Sequence, residues 1–532
     1  MRDMKRLLIS IIAILTVGYS FAQSYLEMAE DALDNNDYAL VIHYATEHLN
    51  SYPKSADAYC MRSLAYASQE DYIQAFDDAD KAIKYWNKKC EYDLATLYCL
   101  RGLIYEQVQD YDKALENYNL AIKKDKKNPR GYAQRGRFYY KKHDYESAAI
   151  NYKKAHEMMP NNADYTLEFA RNLWLLDLNG QAAEILEELM LYHPRMSEAK
   201  RIRALIYREA EDWTSFIDLY ADYISMEHNN VDVFISTTPK AYGYMIKTIS
   251  SYIKNAEDED TRYFWLGLRS RAYMQMDQYA EALADANSMQ ALVTDTVPDG
   301  YVLLLQSDCY EGLYDYANAA RCYDGLIELY PNSEYTYYYY NHRARCFLEM
   351  GEYEKAEADF QKVIENDMDY AISAYVGRGR MREEQQNYEG ALDDYNKALL
   401  LDEDLAFALL YRGRLYLDLN DVERANIDLD KALELEGEDV SITRAYTLLY
   451  KGEGEQALSI MAQIIEDEPS AGNYYDLACM YSLLNRKEEA IRALTVSFEK
   501  GYRSFRHIEK DTDLDNIREM PEYKELIQKY NK

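Results

Sequence analysis

Apolar residues recur along this chain at the spacing of amphipathic helices, and the helical stretches come in consecutive pairs joined by short polar turns. One pair is clear in the segments 98–105 and 110–121. The same pattern returns 34 residues later, between Tyr132 and Ala155, and Pro160 closes it. With only 20 Gly and 9 Pro in 532 residues, the turn residues that many short strands need are scarce. The pattern therefore predicts an all-α fold of repeated helix pairs.

One alanine lies near the start of the second helix of each clear pair, so the number of these alanines gives the number of repeats. Spacings within each array run from 32 to 39 residues, and Val41 and Phe216 hold the equivalent place in two weaker repeats. The anchors predict about thirteen helix pairs over residues 24–500. The anchoring alanines are Ala75, Ala114, Ala148, Ala182, Ala282, Ala319, Ala356, Ala391, Ala425, Ala457 and Ala490.

Four glycines lie in the middle of predicted first helices: Gly102, Gly136, Gly379 and Gly413. In a helix interior, glycine is less stabilising than alanine by about 1 kcal/mol, so the absence of a side chain must allow another stabilising contact. We expect that contact to be close approach of the second helix of the same pair.

The repeated unit resembles the tetratricopeptide repeat. It carries an aromatic residue, a Gly or Ala and a Tyr on the first helix, two alanines flanking an aromatic on the second, and a closing Pro. The resemblance implies a right-handed α-solenoid, in which the pairs stack because one amphipathic pair cannot bury its apolar face alone. It also implies that the first helices line a concave groove. The matching residues of one unit are Tyr98, Gly102, Tyr105, Ala114, Tyr118 and Ala121.

Changes in the pattern divide the chain into five parts. We predict a signal peptide over 1–22, an N-terminal array over 23–228 and a C-terminal array over 261–500. The connector 229–260 lacks the small-residue signature, and it is read either as an atypical helix pair or as a flexible linker. Capping helices are expected over 501–532, because an array needs a polar outer face at its end.

Residues 1–22 have the pattern of a secretory signal. Arg2, Lys5 and Arg6 precede an apolar run over 7–17, and a small-x-small cleavage site ends at Ala22. The run is short for a membrane span. We expect cleavage after Ala22 and an exported, periplasmic or secreted protein that does not span the membrane, with an uncleaved membrane anchor as the alternative.

Composition narrows the classes of function. The formal net charge of −33 argues against a nucleic-acid partner, which would require a basic surface. The seven cysteines contain no Cys-x-x-Cys and favour neither a disulfide framework nor a zinc site, although Cys60 and Cys99 hold equivalent places and could pair after export. Without a zincin, nucleophile-elbow or P-loop motif, we expect no enzyme, no catalytic residue and no cofactor.

Seven repeats carry an Arg one residue before their small residue and an Asp or Asn sixteen residues later. Where Phe169 or Leu477 replaces the Arg, Ile185 or Ala493 replaces its partner, so the two positions change together. We predict charge-assisted hydrogen bonds joining the two helices of each unit. The pairs are Arg62 with Asp78, Arg101 with Asn117, Arg135 with Asn151, Arg269 with Asp285, Arg343 with Asp359, Arg378 with Asp394, and Arg412 with Asp428.

A second set of arginines stands two residues further on, about 200° around the helix, where the resemblance places the groove. This arginine ladder is Arg137, Arg171, Arg271, Arg345, Arg380 and Arg414. The ladder arginines can bind carboxylates through bidentate hydrogen bonds from their guanidinium groups. Alternatively, Arg345, Arg380 and Arg414 pair within their helices with Glu349, Glu384 and Asp418. Neighbouring groove positions hold Trp174, Tyr140, Tyr301, Tyr338 and Phe407.

The C-terminal cap contains a candidate calcium loop, formed by Asp511, Asp513, Asp515 and Glu522. Asn516 replaces the usual glycine, and Pro521 stands just before the twelfth position. The alternative is a set of acidic helix caps.

The sequence is therefore interpreted as an exported scaffold that binds a protein or peptide in a concave groove. A structural subunit of an envelope complex, using convex or edge surfaces, is the alternative. A glycan binder or an enzyme would need a pocket, which we would expect near Pro239.

Overall fold

The computed structural model describes residues 25–227, 239–293 and 299–531, and every regular element in these ranges is helical. The chain forms two compact units, residues 1–229 and 230–532. The predicted signal peptide lies outside the described residues. None of the described helices combines the length and the apolar character that crossing a bilayer requires.

Unit 1 contains six consecutive helix pairs, α1 to α12. They are α1 (25–34), α2 (Tyr38–Ser51), α3 (Ala56–Ser68), α4 (Tyr72–Tyr85), α5 (Leu94–Gln107), α6 (Tyr111–Lys124), α7 (Pro129–Lys141), α8 (Tyr145–Met158), α9 (Ala163–Leu175), α10 (Asn179–Tyr192), α11 (Ser197–Glu209) and α12 (Trp213–Glu227).

Unit 2 begins with a single helix, continues with seven helix pairs and ends with a cap. They are α13 (Pro239–Asn255), α14 (Glu259–Met274), α15 (Tyr279–Leu292), α16 (Gly300–Gly312), α17 (Tyr316–Leu329), α18 (Thr336–Met350), α19 (Tyr353–Asn366), α20 (Met368–Glu384), α21 (Tyr388–Leu401), α22 (Ala406–Asp418), α23 (Val422–Glu436), α24 (Ile442–Tyr450), α25 (Gly454–Asp467), α26 (Ala471–Leu483), α27 (Lys487–Glu499), α28 (Phe505–Lys510), a 3₁₀ turn (Thr512–Leu514) and α29 (Pro521–Tyr530).

The described residues thus contain thirteen helix pairs, which confirms the predicted all-α solenoid of repeated units. The eleven anchoring alanines are fully buried, and so are Val41 and Phe216 of the two weaker repeats. Within the predicted connector, residues 239–255 form α13, which packs against α14. Ala241, Met245 and Ile249 make its buried face.

Local chemistry fixes where the second helices begin. Asp37, Asp71, Asp110 and Asp144 each cap a second helix by accepting a hydrogen bond from a backbone amide three residues on. Just before these caps, one residue takes a positive φ, for example Asn36 at 57°. This left-handed residue reverses the chain so that the two helices pack antiparallel.

The mid-helix glycines occupy the close contacts that the sequence predicts. A β-carbon on Gly102 would lie 2.7 Å from the Tyr118 ring, and one on Gly379 would lie 2.6 Å from the Tyr395 ring. Each of the seven cysteines is a free thiol, so the Cys60–Cys99 bridge that the sequence left open is not formed.

Candidate functional site

The seven predicted pairs between Arg and Asp or Asn all form, each between the first and second helix of one repeat. Distances from Arg Nε to the partner oxygen lie between 2.7 and 3.0 Å. Arg378 and Asp394 are the most buried, with side chains 5% and 0% exposed. The paired arginines therefore have a structural role, because they join the two helices of each repeat. The ladder arginines remain the candidates for binding a partner.

In unit 1, neighbouring carboxylates neutralise the ladder. Arg137 donates to both carboxylate oxygens of Glu106, one repeat earlier, at 3.3 Å. Arg171 pairs with Glu168 at 2.5 Å and with Glu198 of the next repeat at 3.0 Å. These arginines therefore link successive repeats, an arrangement that the sequence analysis did not foresee.

In unit 2, the ladder is not neutralised in the same way. Arg414 pairs with Glu383 of the preceding repeat. Arg380 lies over the Tyr411 ring, 5.6 Å from its centroid. Arg345 and Arg380 are both exposed, and neither has a carboxylate within ion-pair distance among the residues described. Arg271 is half-buried on α14.

The alternative pairing within helices is wrong for these arginines, because other donors bond to two of the three acids and Arg414 pairs with Glu383 instead of Asp418. Glu349 accepts a hydrogen bond from Ser504 Oγ at 3.1 Å, and Glu384 accepts one from Arg506 Nη2 at 2.7 Å. Both donors lie in residues 501–513, which we call the C-terminal strap. Asp418, the third predicted partner, is exposed.

The strap crosses the inner face of unit 2. Tyr502 stacks on Tyr475 of α26 with ring centroids 4.3 Å apart, and it also contacts Tyr314, five repeats earlier, at 5.0 Å. Arg506 donates to Tyr353 Oη at 2.7 Å. One segment can reach repeats so distant in sequence only because the first helices curve around it, so this face of unit 2 is concave.

Two adjoining cavities lie on the inner face of unit 2, and only the second is lined by strap residues. The first, of about 410 Å³, is lined by Asn341, Arg345 and Ser373 among others. The second, of about 490 Å³, reaches Arg414 and the strap. Both volumes are in the range of ligand pockets. The two cavities share Arg380, Phe407 and Tyr411, and together we call them the chamber.

The end of the chamber next to the strap concentrates carboxyl groups. Burial raises the pKa of Asp513 to about 7, and repulsion from Asp511 adds to this effect. Burial likewise raises the pKa of Asp476 to about 6, although the Tyr446 hydroxyl donates to its carboxylate at 3.0 Å. Partial desolvation also raises the pKa of Asp418, although its side chain is exposed, and the Arg414 guanidinium partly opposes that rise.

The other predicted groove residues contact their neighbours. Trp174 Nε1 donates to Glu209 at 3.2 Å. Tyr140 lies 5.8 Å from the Tyr145 ring. Tyr338 packs 4.2 Å from the His342 ring. Tyr301 packs over Gly267. Of this aromatic set, Phe407 lines the chamber.

The predicted calcium loop does not assemble. Asp515 pairs with Arg518 at 2.7 Å, and Glu522 lies in the first turn of α29. Within the described chain, the group of possible ligands at this place is Cys479, Asp511 and Asp513. Asp511 already accepts from Tyr475 Oη at 2.6 Å. The acidic run caps helices and lines the chamber instead, because the strap folds inward and not into a twelve-residue loop.

Sequence reasoning missed the strap and the acidic end of the chamber, because contacts between residues as far apart in sequence as Tyr314 and Tyr502 leave no periodic signal. One recurring hydrogen bond on the inner face could have been predicted from a sequence spacing. A tyrosine follows an inner-face glutamate by twelve residues and donates to it, as Tyr323 does to Glu311 at 2.6 Å. This spacing recurs for Tyr118 with Glu106 and for Tyr395 with Glu383.

Comparison with known proteins supports the repeats. Residues 95–128, 301–333 and 342–406 match models described as tetratricopeptide repeat. The TPR repeat-containing protein MJ1428 of Methanocaldococcus jannaschii is 27% identical over 190 residues, 33% of this chain and 32% of that protein. A chloroplastic protein of Arabidopsis thaliana is 23% identical over 166 residues, 30% of this chain and 48% of that protein.

The chain therefore spans about a third and about half of the length of these two relatives. Among solved structures, the crystal structure of yeast Tom70 is similar at 17% identity, over 82% of this chain and 99% of that chain, with a TM-score of 0.38. Three segments of the chain are thus similar to tetratricopeptide repeats, and the thirteen helix pairs of the described residues repeat the same helix-turn-helix arrangement.

Proposed function

We propose that the protein is a binding scaffold, not an enzyme, and that it captures an acidic segment or chain end of a partner protein on its inner face. The observation that carries this proposal is the pair Arg345 and Arg380. They are exposed guanidiniums beside Phe407 and Tyr411 in the chamber, with no carboxylate at ion-pair distance in the described chain. A guanidinium suits bidentate binding of a carboxylate, and the aromatic rings offer apolar contact.

The test is affinity capture of partners by the wild-type chain and by an Arg345→Glu/Arg380→Glu double variant. An Arg321→Glu/Arg492→Glu variant is the matched control, because both side chains are exposed on second helices of the same unit. We expect a partner that the wild type and the control retain and that the chamber variant loses. Equal capture by all three proteins would move recognition to another surface.

A structural role through outer surfaces is the second candidate, and exposed aliphatic side chains on second helices favour it. Ile73 and Leu400 are 82% and 85% exposed, and Ile150 and Ile427 are 59% and 63% exposed. Changing Leu400 and Ile427 to Lys should abolish the captured complex if this surface binds the partner. It should leave the complex intact if recognition lies in the chamber.

Export remains part of the proposal and rests on the sequence of residues 1–22. Amino-terminal sequencing of the protein from an envelope fraction should begin after Ala22. An intact Met1 in that fraction would contradict cleavage and favour the membrane-anchor alternative.

A further inference from the structure

Where the C-terminal strap meets the last helix pair, four side chains with metal-binding groups come together. Cys479 lies on α26 and is 1% exposed. His507 lies on α28, Asp511 directly follows that helix, and Asp513 lies in the 3₁₀ turn. Cys479 Sγ and carboxylate oxygens of Asp511 and Asp513 all lie within 4.8 Å of one another, and His507 Nε2 lies 3.8 Å from Asp511 Oδ2. One thiol, one imidazole and two carboxyl groups therefore meet at one place.

The separations between these atoms match those around a zinc ion. Metal–ligand distances of about 2.0–2.3 Å place the ligands of a tetrahedral ion roughly 3.3–3.8 Å apart. Cys479 Sγ and Asp511 Oδ2 are 3.4 Å apart, and His507 Nε2 and Asp511 Oδ2 are 3.8 Å apart. The 4.8 Å that bounds the separations to Asp513 exceeds this range by about 1 Å, which rotation of one side chain can close. The cluster therefore needs no backbone movement to bind an ion.

Hydrogen bonds hold the Asp511 carboxylate in a fixed orientation. Tyr475 Oη donates to Asp511 Oδ2 at 2.6 Å, and the Asp513 amide donates to Asp511 Oδ1 at 2.9 Å. Outer hydrogen bonds of this kind orient the ligands of metal sites. A carboxylate oxygen has two lone pairs, so Asp511 Oδ2 can accept from Tyr475 and still bind a metal ion. Tyr475 is therefore a positioning residue for the cluster.

The carboxylate of Asp513 has no hydrogen-bond donor among the residues that the structure describes. It is half-buried beside the carboxylate of Asp511, which is half-buried as well. Two like charges that are partly removed from water destabilise the fold unless a counter-ion accompanies them. A divalent cation between the two carboxylates would offset both charges, so the unpartnered Asp513 points to a bound cation.

The types of ligand select the class of ion. Ca²⁺ and Mg²⁺ prefer oxygen ligands, whereas thiolate and imidazole favour Zn²⁺ and neighbouring transition-metal ions. The Cys479 thiol gives up its proton to solvent and binds as the thiolate, because the positive ion stabilises that anion. The sequence analysis missed this set because its single cysteine belongs to no Cys-x-x-Cys motif.

We propose that Cys479, His507, Asp511 and Asp513 bind one divalent transition-metal ion of the zinc class, and that this ion fixes the C-terminal strap to the last helix pair. Three of the ligands belong to the strap and one belongs to α26, so the ion joins two segments that are separate in sequence. The inference goes beyond the proposed function, because it requires neither a partner protein nor an arginine of the ladder.

Titration of the metal-free full chain with Co²⁺ tests the ligands, because this ion replaces zinc and reports its coordination by absorption. A tetrahedral site gives d–d bands in the visible, and a thiolate ligand adds a charge-transfer band in the near ultraviolet. We expect both bands to saturate at one ion per chain and Zn²⁺ to abolish them. Cys479→Ser should remove the charge-transfer band. His507→Gln and Asp513→Asn should each weaken Zn²⁺ binding at least about tenfold in competition with a chelating dye.

Two control variants separate this cluster from other thiols and carboxylates. Cys90→Ser changes the most accessible thiol, and Asp515→Asn changes a nearby carboxylate that pairs with Arg518. Both controls should bind Co²⁺ and Zn²⁺ like the wild type. His507 is 27% exposed, so its substitution tests the site even if Cys479→Ser fails to fold. Absence of the charge-transfer band in the folded wild type, or equal Zn²⁺ affinity of the wild type and His507→Gln, overturns the proposal.

Hydrogen exchange of the strap amides tests whether the ion fixes the strap. Saturating Zn²⁺ should slow this exchange in the wild type and in both controls, and it should have no such effect in His507→Gln. Unchanged exchange in the wild type at saturating Zn²⁺ would contradict a metal link between the strap and α26.

Discussion

The most buried ion pair of the solenoid gives the sharpest test of how its repeats are held together. Asp394 accepts from Arg378 Nε at 3.0 Å and Nη2 at 2.7 Å, and from Arg382 Nη1 at 2.7 Å. Asp394 is fully buried, and the Arg378 side chain is 5% exposed. Asp394→Ala would remove the bidentate acceptor of the buried Arg378 guanidinium, whose Nη1 alone would keep Gln361 and Glu357 as partners. Such a change costs about 3–5 kcal/mol.

The chain contains its own apolar alternative to this pair. In another repeat, Phe169 and Ile185 take the two positions and share one hydrophobic cluster. Because a packed apolar pair often equals a buried ion pair in stability, Arg378→Phe/Asp394→Ile should lie within about 1 kcal/mol of the wild type. Arg382 loses Asp394 in this variant but keeps Glu357, at 2.9 Å.

Hydrogen exchange of the α20 and α21 amides measures the cost locally, because a solenoid need not unfold in one step. Urea unfolding followed by circular dichroism gives a second measure. The reasoning is refuted if Asp394→Ala costs less than about 1 kcal/mol, the range of exposed pairs. It is also refuted if the double variant is as unstable as the single one.

Three further predictions follow from single sites. Gly379→Ala should destabilise unit 2 by about 1–2 kcal/mol in urea unfolding, because the new β-carbon would meet the Tyr395 ring at 2.6 Å. Gly243→Ala, which meets nothing within 4 Å on α13, should instead stabilise by about 0.5–1 kcal/mol, and the reverse order would contradict the packing argument. Asp513→Asn should raise the melting temperature at about pH 8 but not at about pH 4. The raised pKa of Asp513 means that the folded state loses stability as the pH rises to about 7, and the asparagine removes this loss. A higher melting temperature of the variant at about pH 4 alone would contradict this reasoning. Cys90 is half-buried while the other six thiols are buried, so alkylation of the native chain should modify Cys90 first, as peptide mass spectrometry would show.

Local pattern was sufficient to predict the repeats. The anchoring alanines, the mid-helix glycines and the seven interhelical pairs follow from spacings of sixteen residues or fewer within one unit. Their partners are set by helix geometry, because two antiparallel helices joined by a short turn have one register. Of the six ladder arginines, Arg345, Arg380 and Arg414 line the chamber, and their role in binding stays a prediction.

The partners of the ladder depend on the tertiary structure. Arg137 pairs with Glu106 of the preceding repeat, not with a residue of its own helix. Glu349 and Glu384 bond to the strap, which leaves Arg345 and Arg380 without an ion pair among the described residues. These outcomes depend on how much successive repeats curve and on where the C-terminal segment lies. A sum of small rotations between repeats sets the curvature, and no local residue pattern reports it.

The sequence by itself therefore determined the helices, their pairing and the buried contacts within each unit, because short-range geometry relates those residues. Only the tertiary structure decided that unit 2 closes around its own C-terminal strap. It brings Tyr314, Tyr475 and Tyr502 together and encloses charges of both signs in one chamber. The physical reason is that burial and charge neutralisation at an inner face depend on which distant repeats meet there.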